Sequence, residues 1–591
     1  MKKRSEIDAR YFWDLSGYAK NMESALATAK KLLPEYENLT KFEGRLKDDE
    51  ALFECLETKK KLDQQLEVVM EYCFLRESED SENSHVEEIS NMIETMFSDV
   101  EVKLSFIDAE INKFSNKKLD ALVNNDKFVE YKEMFKEIKR TKKHSLSKTE
   151  EKILSRVSDF AGGFSAVFDM FDSSEIAFKD AVDSTGKKHP LNNSNYSVLV
   201  RSPDRELRKS AYKNLHEEYG KLNKTIATNY IYNVKTDIAF SKIRKFSSVL
   251  EKALFYEEIP EIVYTNLIAA VHASLRNFHK YFDLKRKMLC LKDFCIYDSY
   301  AENPNVPKLN VTVEEAFDLI KKALSPLGKE YEKILDQAIE DKWVDFMPNA
   351  GKSTGAFSSG AYGKNPVILM NFEGDLNSVF TLAHELGHSV HTYLSNKHQN
   401  ILNSNYPIFL AEIASTTNEM LLLKYFIKNA KDDQEKLYYV DTFLSMVKST
   451  IFRQTMFAEF EQIAHAKQEN IEPLSASVLN QVYEDLNKLY FGENVEIDSS
   501  TKYEWSRIPH FYRSFYVYKY ATGLIAAIAI SNNVIVDKNY AKKYLKMLSM
   551  GGKLSPLETL NICDIDLTKL DCFNNAFREV EENIKEMEKL V

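Results

Sequence analysis

TLAHELGHSVHT, residues Thr381–Thr392, carries the pattern HExxH as His384, Glu385 and His388. In a helix, residues four apart lie one turn above one another on the same face, so the two imidazoles converge on a single metal ion. Glu385, one position on, points about a quarter-turn away. Its carboxylate then stands beside a metal-activated water, where it can accept a proton, and outside the ligand set. The expectation is a zinc hydrolase with one Zn2+ ion, built on a helix. With 12 histidines in the chain, HExxH also arises by chance, so the reading needs a third ligand.

Composition points to a helical protein around this motif. The chain has 591 residues, longer than one hydrophobic core usually supports, so two or more lobes are expected. It has only 17 glycines and 13 prolines, which favours long helices with short connections. Hydrophobic residues at 44% and charged residues at 29% are ordinary for a globular chain. A formal net charge of -11 argues against a nucleic-acid surface, which needs clustered Lys and Arg. The basic run Lys136 to His144 reads as a solvated helix end. The apolar run GLIAAIAI, Gly523 to Ile530, is too short to span a bilayer and reads as buried helix. The first residues, MKKRSEIDARYFWDLSGYAK, lack the apolar stretch of a secretory signal. Cys55, Cys73, Cys290, Cys295, Cys563 and Cys572 show no CxxC pair. The reducing cytoplasm is the expected compartment, with no membrane partner.

Amphipathic segments at Glu50 to Arg76, Val86 to Asn112, Lys127 to Lys139 and Ser147 to Met170 predict an N-terminal helical lobe. The stretch Glu175 to Arg201 predicts a β-hairpin turning at Asp183 to Gly186, with His189 in a structural role. A first domain over 1–200 and a catalytic domain over 201–591 are therefore expected. Ser202 as cap and Pro203 as first helical residue predict a helix through Phe246, and Pro260 to Leu291 predicts another, with Cys290 and Cys295 as buried thiols at its end. Thr312 and Glu315 form a capping box for a helix towards Leu324.

Just before the HExxH stretch, Gly351, Gly355, Gly360 and Gly363 crowd together, followed by PVILMN, Pro366 to Asn371, a β-strand pattern. The GKS at Gly351 to Ser353 is not a P-loop, because Phe346 stands where that motif needs its first glycine. The pattern predicts a sheet edge along which an extended peptide can lie. After a loop from Ser395 to Pro407 comes a helix starting near Phe409, and later a long one from Gln434 to Lys467. The first of these holds EIASTTNE, Glu412 to Glu419. Its two glutamates are two turns apart and face the same way, so one can bind the metal while the other braces a ligand histidine.

Taken in order, GAFSSGAYG, PVILMNF, FTLAHELGHSVH, EIASTTNE and IPHFYRSFYVYKYATG (Ile508 to Gly523) resemble the oligoendopeptidase F and thimet oligopeptidase family of zinc metallopeptidases, most of all the oligoendopeptidase F branch. The resemblance extends over most of Ser202 to Asn574. It implies a mainly α fold: an elongated, two-lobed helical body around a deep substrate channel, with a small sheet next to the HExxH helix. It implies His384, His388 and Glu412 as metal ligands and Glu385 as general base, with Glu419 bracing a ligand; His391, three beyond His388, falls on the same helical face but a turn further from the metal, and reads as a neighbour of the site or channel wall, not a ligand. The implied activity is hydrolysis of internal bonds in short, unstructured peptides.

Attack on a peptide carbonyl builds negative charge on its oxygen, which neutral imidazole and phenol donors can stabilise. His510 ranks first, then Tyr520 and Tyr516, with Tyr512 and Tyr518 in reserve. An aromatic stripe packed in the core is the plainer reading of those tyrosines. The tyrosine spacing of the thimet branch would fall on Lys519 and Thr522 here, which leaves the choice of tyrosine open. Two other readings compete: a carboxypeptidase or dipeptidyl carboxypeptidase gripping a terminal carboxylate with Arg513 or Arg507, and a non-catalytic peptide-binding or scaffold protein in which zinc only ties helices together.

Overall fold

Short polar side chains mark where the helices begin. Asp48, Asn83, Ser147, Asp204, Thr312, Asp375, Asp432 and Ser475 each accept a backbone N–H from the first turn of the helix they precede, satisfying donors that have no partner inside the helix. The computed structural model describes residues 2–304, 306–307 and 309–591, and its architecture is mainly α. The predicted helices appear as Asp49–Glu79, Ser84–Leu104, Lys132–Thr141, Lys148–Met170, Glu261–Met288 and Val313–Leu324.

Three expectations need correction. The helix expected from Ser202 runs over Arg205–Ile243, because Asp204 is the cap, its carboxylate accepting the Leu207 N–H at 3.0 Å. The single helix expected from Gln434 to Lys467 is Asp433–Val447, then a π turn at Lys448–Phe452, then Arg453–Glu469. One wide turn leaves apolar periodicity almost unchanged, so the pattern could not reveal it. Cys290 is exposed rather than buried, ending its helix with φ at 52°, while Cys295 is buried as expected.

The chain falls into two compact units, each of three segments: Met1–Lys143, Lys308–Leu422 and Ile530–Asp564 in the first, His144–Pro307, Leu423–Ala529 and Ile565–Val591 in the second. Residues 1–143 of the expected N-terminal lobe thus lie in the first unit and 144–200 in the second.

The second unit holds the predicted hairpin, β1 (Ala181–Val182) antiparallel to β2 (Lys188–His189). His189 Nε2 bonds Asp183 Oδ2 at 2.8 Å, which ties the turn residue to the returning strand. In the first unit, β3 (Val344–Asp345), β4 (Phe357–Ser359) and β5 (Val367–Leu369) form a sheet in the order β3-β5-β4, with β5 parallel to β3 and antiparallel to β4. All three residues of β5 are buried, and Val367 and Leu369 join the core built by the N-terminal helices. Gly363, at φ 77°, turns the chain into β5, a conformation that favours glycine.

The N-terminal segment is stitched to this sheet. Phe346 N–H donates to Tyr11 O at 3.0 Å, and Arg4 pairs with both Asp345 and Glu79. Lys352 Nζ, fully buried, meets the equally buried Asp345 carboxylate at 2.6 Å.

The helix Tyr518–Val536 is long and apolar enough to cross a membrane by length and composition, yet 61% of its apolar window is buried within the protein. GLIAAIAI lies inside it, and its residues Leu524 to Ile528 are at most 1% exposed, as expected of a core helix.

Asp345→Ala should lower stability by about 3–5 kcal/mol, because it leaves the buried Lys352 ammonium with backbone carbonyls alone and no paired counter-charge. Chemical denaturation of the full chain measures this, and a loss under about 1 kcal/mol would contradict the role given to the pair.

Candidate metal centre

The HExxH motif lies in the middle of helix α1 (Leu376–His398), and EIASTTNE lies on helix α2 (Ile408–Lys428). The two backbones approach closely at one point. A Cβ built on Gly387 would sit 2.7 Å from Ser415 Cα and 2.8 Å from Ala414 O. A mid-helix glycine costs roughly 0.5–1 kcal/mol relative to alanine, and here the absent side chain is what lets α2 lie against α1. Asn418, fully buried, bonds across the same contact: its Nδ2 donates to Ala383 O at 2.9 Å, and its Oδ1 accepts from Tyr331 Oη at 2.8 Å.

That contact brings three donor atoms to one point. His384 Nε2 and His388 Nε2 are 3.2 Å apart, and Glu412 Oε2 lies 3.7 Å from the first and 3.8 Å from the second. Tetrahedral zinc with bonds near 2.0–2.1 Å places its donors roughly 3.3 Å from one another. Among the described residues this is the cluster of three His, Cys, Asp or Glu side chains whose donors lie close enough to hold a metal ion.

The protonation pattern fits as well. His384 Nδ1 lies 2.8 Å from Glu419 Oε1. An ionised carboxylate only accepts, so Nδ1 carries the hydrogen and Nε2 presents its lone pair to the shared point. Ser415 Oγ donates to Glu412 Oε2 at 3.2 Å and aims that carboxylate. Burial alone would lower the His384 pKa, but the Glu419 bond and charge reverse the sign and raise it. Burial, reinforced by His384, pushes His388 down to about 3, keeping its ring neutral as a metal ligand must be.

Glu385 is 7% exposed and outside the three-donor cluster. Burial raises its pKa to about 7; Glu412 and Glu419 add to the rise, while His384 and the Ser358 N–H oppose it. Ser358 also bonds Ser389 through their hydroxyls at 2.8 Å. The middle residue of β4 is therefore tied to α1 at Glu385 and one turn further on, at Ser389.

His391 is 1% exposed, and its ring stacks on Tyr406 with centroids 3.5 Å apart. Burial drives it down to about 3, so it is a neutral packing element below the motif. Gly387, Ser415 and Asn418 were not singled out by the sequence reading. The signals were present: a glycine inside a helix, and a polar run, STTN, inside an apolar one.

The second unit groups the other predicted residues. His510, on the 3-10 helix Pro509–Tyr512, has ring centroids 6.2 Å from Tyr516 and 6.0 Å from Tyr520, and those two tyrosines are 5.6 Å apart. Burial, then Arg513, lowers the His510 pKa, which favours the neutral imidazole. The reserve tyrosines point elsewhere: Tyr512 Oη accepts from Asn229 at 3.1 Å, and Tyr518, fully buried, bonds Glu257 at 3.3 Å. Lys519 pairs with Glu257 and Thr522 is buried, so the two positions indicated by thimet spacing are occupied structurally. Arg507 lies over the Tyr196 ring at 5.1 Å, and Arg513 is exposed.

The sequence profile of peptidase family M3 matches residues 198–579, and that of the oligopeptidase F N-terminal region matches 110–178. Oligopeptidase PepF of Bacillus subtilis is 37% identical over 594 residues, spanning 100% of this chain and 88% of the relative. A crystal structure of a protein from Chlamydophila abortus superposes with a TM-score of 0.95 at 34% identity, over 100% of both chains. Oligoendopeptidase F from Enterococcus faecium gives 0.73 at 29% identity, over 95% of this chain and 98% of its own.

Glu419→Ala should weaken metal binding about 10–100-fold, since His384 loses the acceptor that fixes its tautomer. Gly387→Ala should weaken it at least as much and cost about 1–3 kcal/mol of stability by overpacking the helix contact. Competitive titration against a chelator tests both, and wild-type affinity in Gly387→Ala would refute the role of the close approach.

Proposed function

Because this chain belongs to peptidase family M3, in its oligoendopeptidase F group, and is a metallo-oligopeptidase, we propose that it is a zinc endopeptidase acting on short, unstructured peptides. The observation that carries this reading is the convergence of His384, His388 and Glu412 on one point, with the buried carboxyl of Glu385 left out of the set. The names of the relatives, oligopeptidase and oligoendopeptidase, support the choice of short peptides and internal bonds. Six free thiols support a reducing, cytoplasmic setting.

Zinc, when held by these three side chains, supplies a Lewis acid that polarises the scissile carbonyl and makes water more acidic. Glu385 takes a proton from the attacking water and delivers it to the leaving nitrogen as the C–N bond breaks. Glu419 keeps His384 in the tautomer that presents Nε2 to the ion. We assign His510, with Tyr520 and Tyr516, to donate hydrogen bonds to the carbonyl oxygen as charge grows on it. Their residue types and mutual grouping support this assignment.

Glu385→Gln should retain zinc at one equivalent while kcat falls by about 10²–10⁴-fold; near-wild-type cleavage of a quenched fluorescent peptide would sink the mechanism. The pH dependence has a definite sign. Glu385 works as a base only when ionised, so kcat/KM falls as pH drops through its pKa. In the metal-free site that pKa is about 7, and a nearby dication lowers it. The acid limb of the kcat/KM profile should therefore lie below about 7, and a limb above that value would contradict the assignment.

A further inference from the structure

The turn between the Pro509–Tyr512 helix and the apolar helix Tyr518–Val536 holds a conformation that its own sequence does not favour. Phe515 has φ at 59°, in the left-handed region, where a bulky aromatic residue is a rare outlier. Such a residue persists only where its surroundings over-determine it, and here the support comes from the helix Arg453–Glu469. Its Glu461, 0% exposed, accepts the Phe515 N–H on Oε1 at 3.1 Å. The other oxygen, Oε2, is buried with no partner among the described residues.

The neighbours fix the rest of the turn. Ser514 Oγ donates to Asp237 Oδ2 at 2.6 Å, and the Phe515 ring, 2% exposed, packs against Tyr264 and His465 at centroid distances of 5.8 and 4.8 Å. A hydrocarbon of Glu461's size would fill this space without the cost of burying a carboxyl. What the carboxyl adds is an acceptor for one amide. Burial, with Asp237 nearby, holds that carboxyl far above the ordinary range, so it sits there uncharged.

Tyr516 stands just ahead of the helix that starts at Tyr518, its C=O accepting the Lys519 N–H at 3.4 Å. The left-handed Phe515 directly before it sets the course of the chain where Tyr516 meets both His510 and Tyr520. We propose that Glu461 is a positioning residue for peptide hydrolysis: by holding the Phe515 amide it fixes the left-handed turn that assembles the His510–Tyr516–Tyr520 donor group. This rests on the donor role given to that group under the proposed function.

The test compares Glu461→Gln, Glu461→Leu and His510→Ala in the zinc-loaded full chain on one quenched fluorescent peptide, with amide exchange read over residues 511–517. Glutamine keeps a carbonyl acceptor, so kcat should stay within about twofold. Leucine should lower kcat about 10–100-fold, with zinc content unchanged, KM little altered and exchange faster at Phe515. Wild-type kcat in Glu461→Leu, or equal losses in the Gln and Leu variants, would overturn the inference. If the Leu variant does not fold, wild-type exchange decides, because a Phe515 amide as labile as an exposed one is not held. An undiminished kcat in His510→Ala, where Glu461 is intact, removes the donor assignment itself and the inference with it.

Discussion

The close approach of two helix backbones at Gly387 is the constraint on which the metal centre depends. HExxH by itself supplies two imidazoles on one face and nothing to complete a site. The third donor of the cluster, Glu412, sits on another helix, and its carboxylate reaches the shared point only where the two helices nearly touch. At Gly387 a single Cβ would push Ser415 away by its 2.7 Å approach. Asn418 then ties the helices with a bond to the Ala383 carbonyl, one residue before His384. Position, distance and tautomer follow from that contact, because Glu412, Ser415, Asn418 and Glu419 lie along one side of a helix laid against another.

Electrostatics makes the same site expectant of a cation. Glu385, Glu412 and Glu419 crowd around two imidazoles, and burial together with the two other carboxylates raises the Glu385 pKa to about 7. A divalent ion relieves this repulsion, and its binding is coupled to the loss of protons from its ligands. His388, held neutral, has no proton to lose on binding. Of the two carboxylates outside the three-donor cluster, Glu419 bonds His384 Nδ1, while Glu385 has its pKa raised to about 7 and accepts the Ser358 N–H of the edge strand β4. The proposed base Glu385, the proposed ligand Glu412 and the bracing Glu419 thus differ through their surroundings, although all three are glutamates.

Much of this was legible in the sequence. Spacing of four set His384 and His388 on one face, spacing of seven set Glu412 and Glu419 on another, and ordered motifs tied the two to a family. Helix positions followed from apolar periodicity and polar caps. What periodicity could not carry were departures from regular geometry: the wide turn at Lys448–Phe452, the cap at Asp204 in place of Ser202, and the left-handed Phe515. The tyrosine question was open for the same reason. Tyr516 and Tyr520, four apart, read as neighbours on one helix face; they do meet, with Tyr516 just ahead of the helix and next to the left-handed Phe515, while Tyr512 and Tyr518 are engaged with Asn229 and Glu257. Gly387 went unnoticed because its role lies in what another helix needs, and a single chain segment does not display its partner.

The proposed site, in which two histidines of α1 and one glutamate of α2 hold a single zinc ion while Glu385 stays free, can be read by X-ray absorption spectroscopy of the zinc-loaded protein. The expected spectrum shows one zinc with two imidazole nitrogens and a carboxylate oxygen at about 2.0–2.2 Å, unchanged in Glu385→Gln and short of one nitrogen or oxygen ligand in Glu412→Ala. A first shell that changes in Glu385→Gln and survives in Glu412→Ala would contradict it.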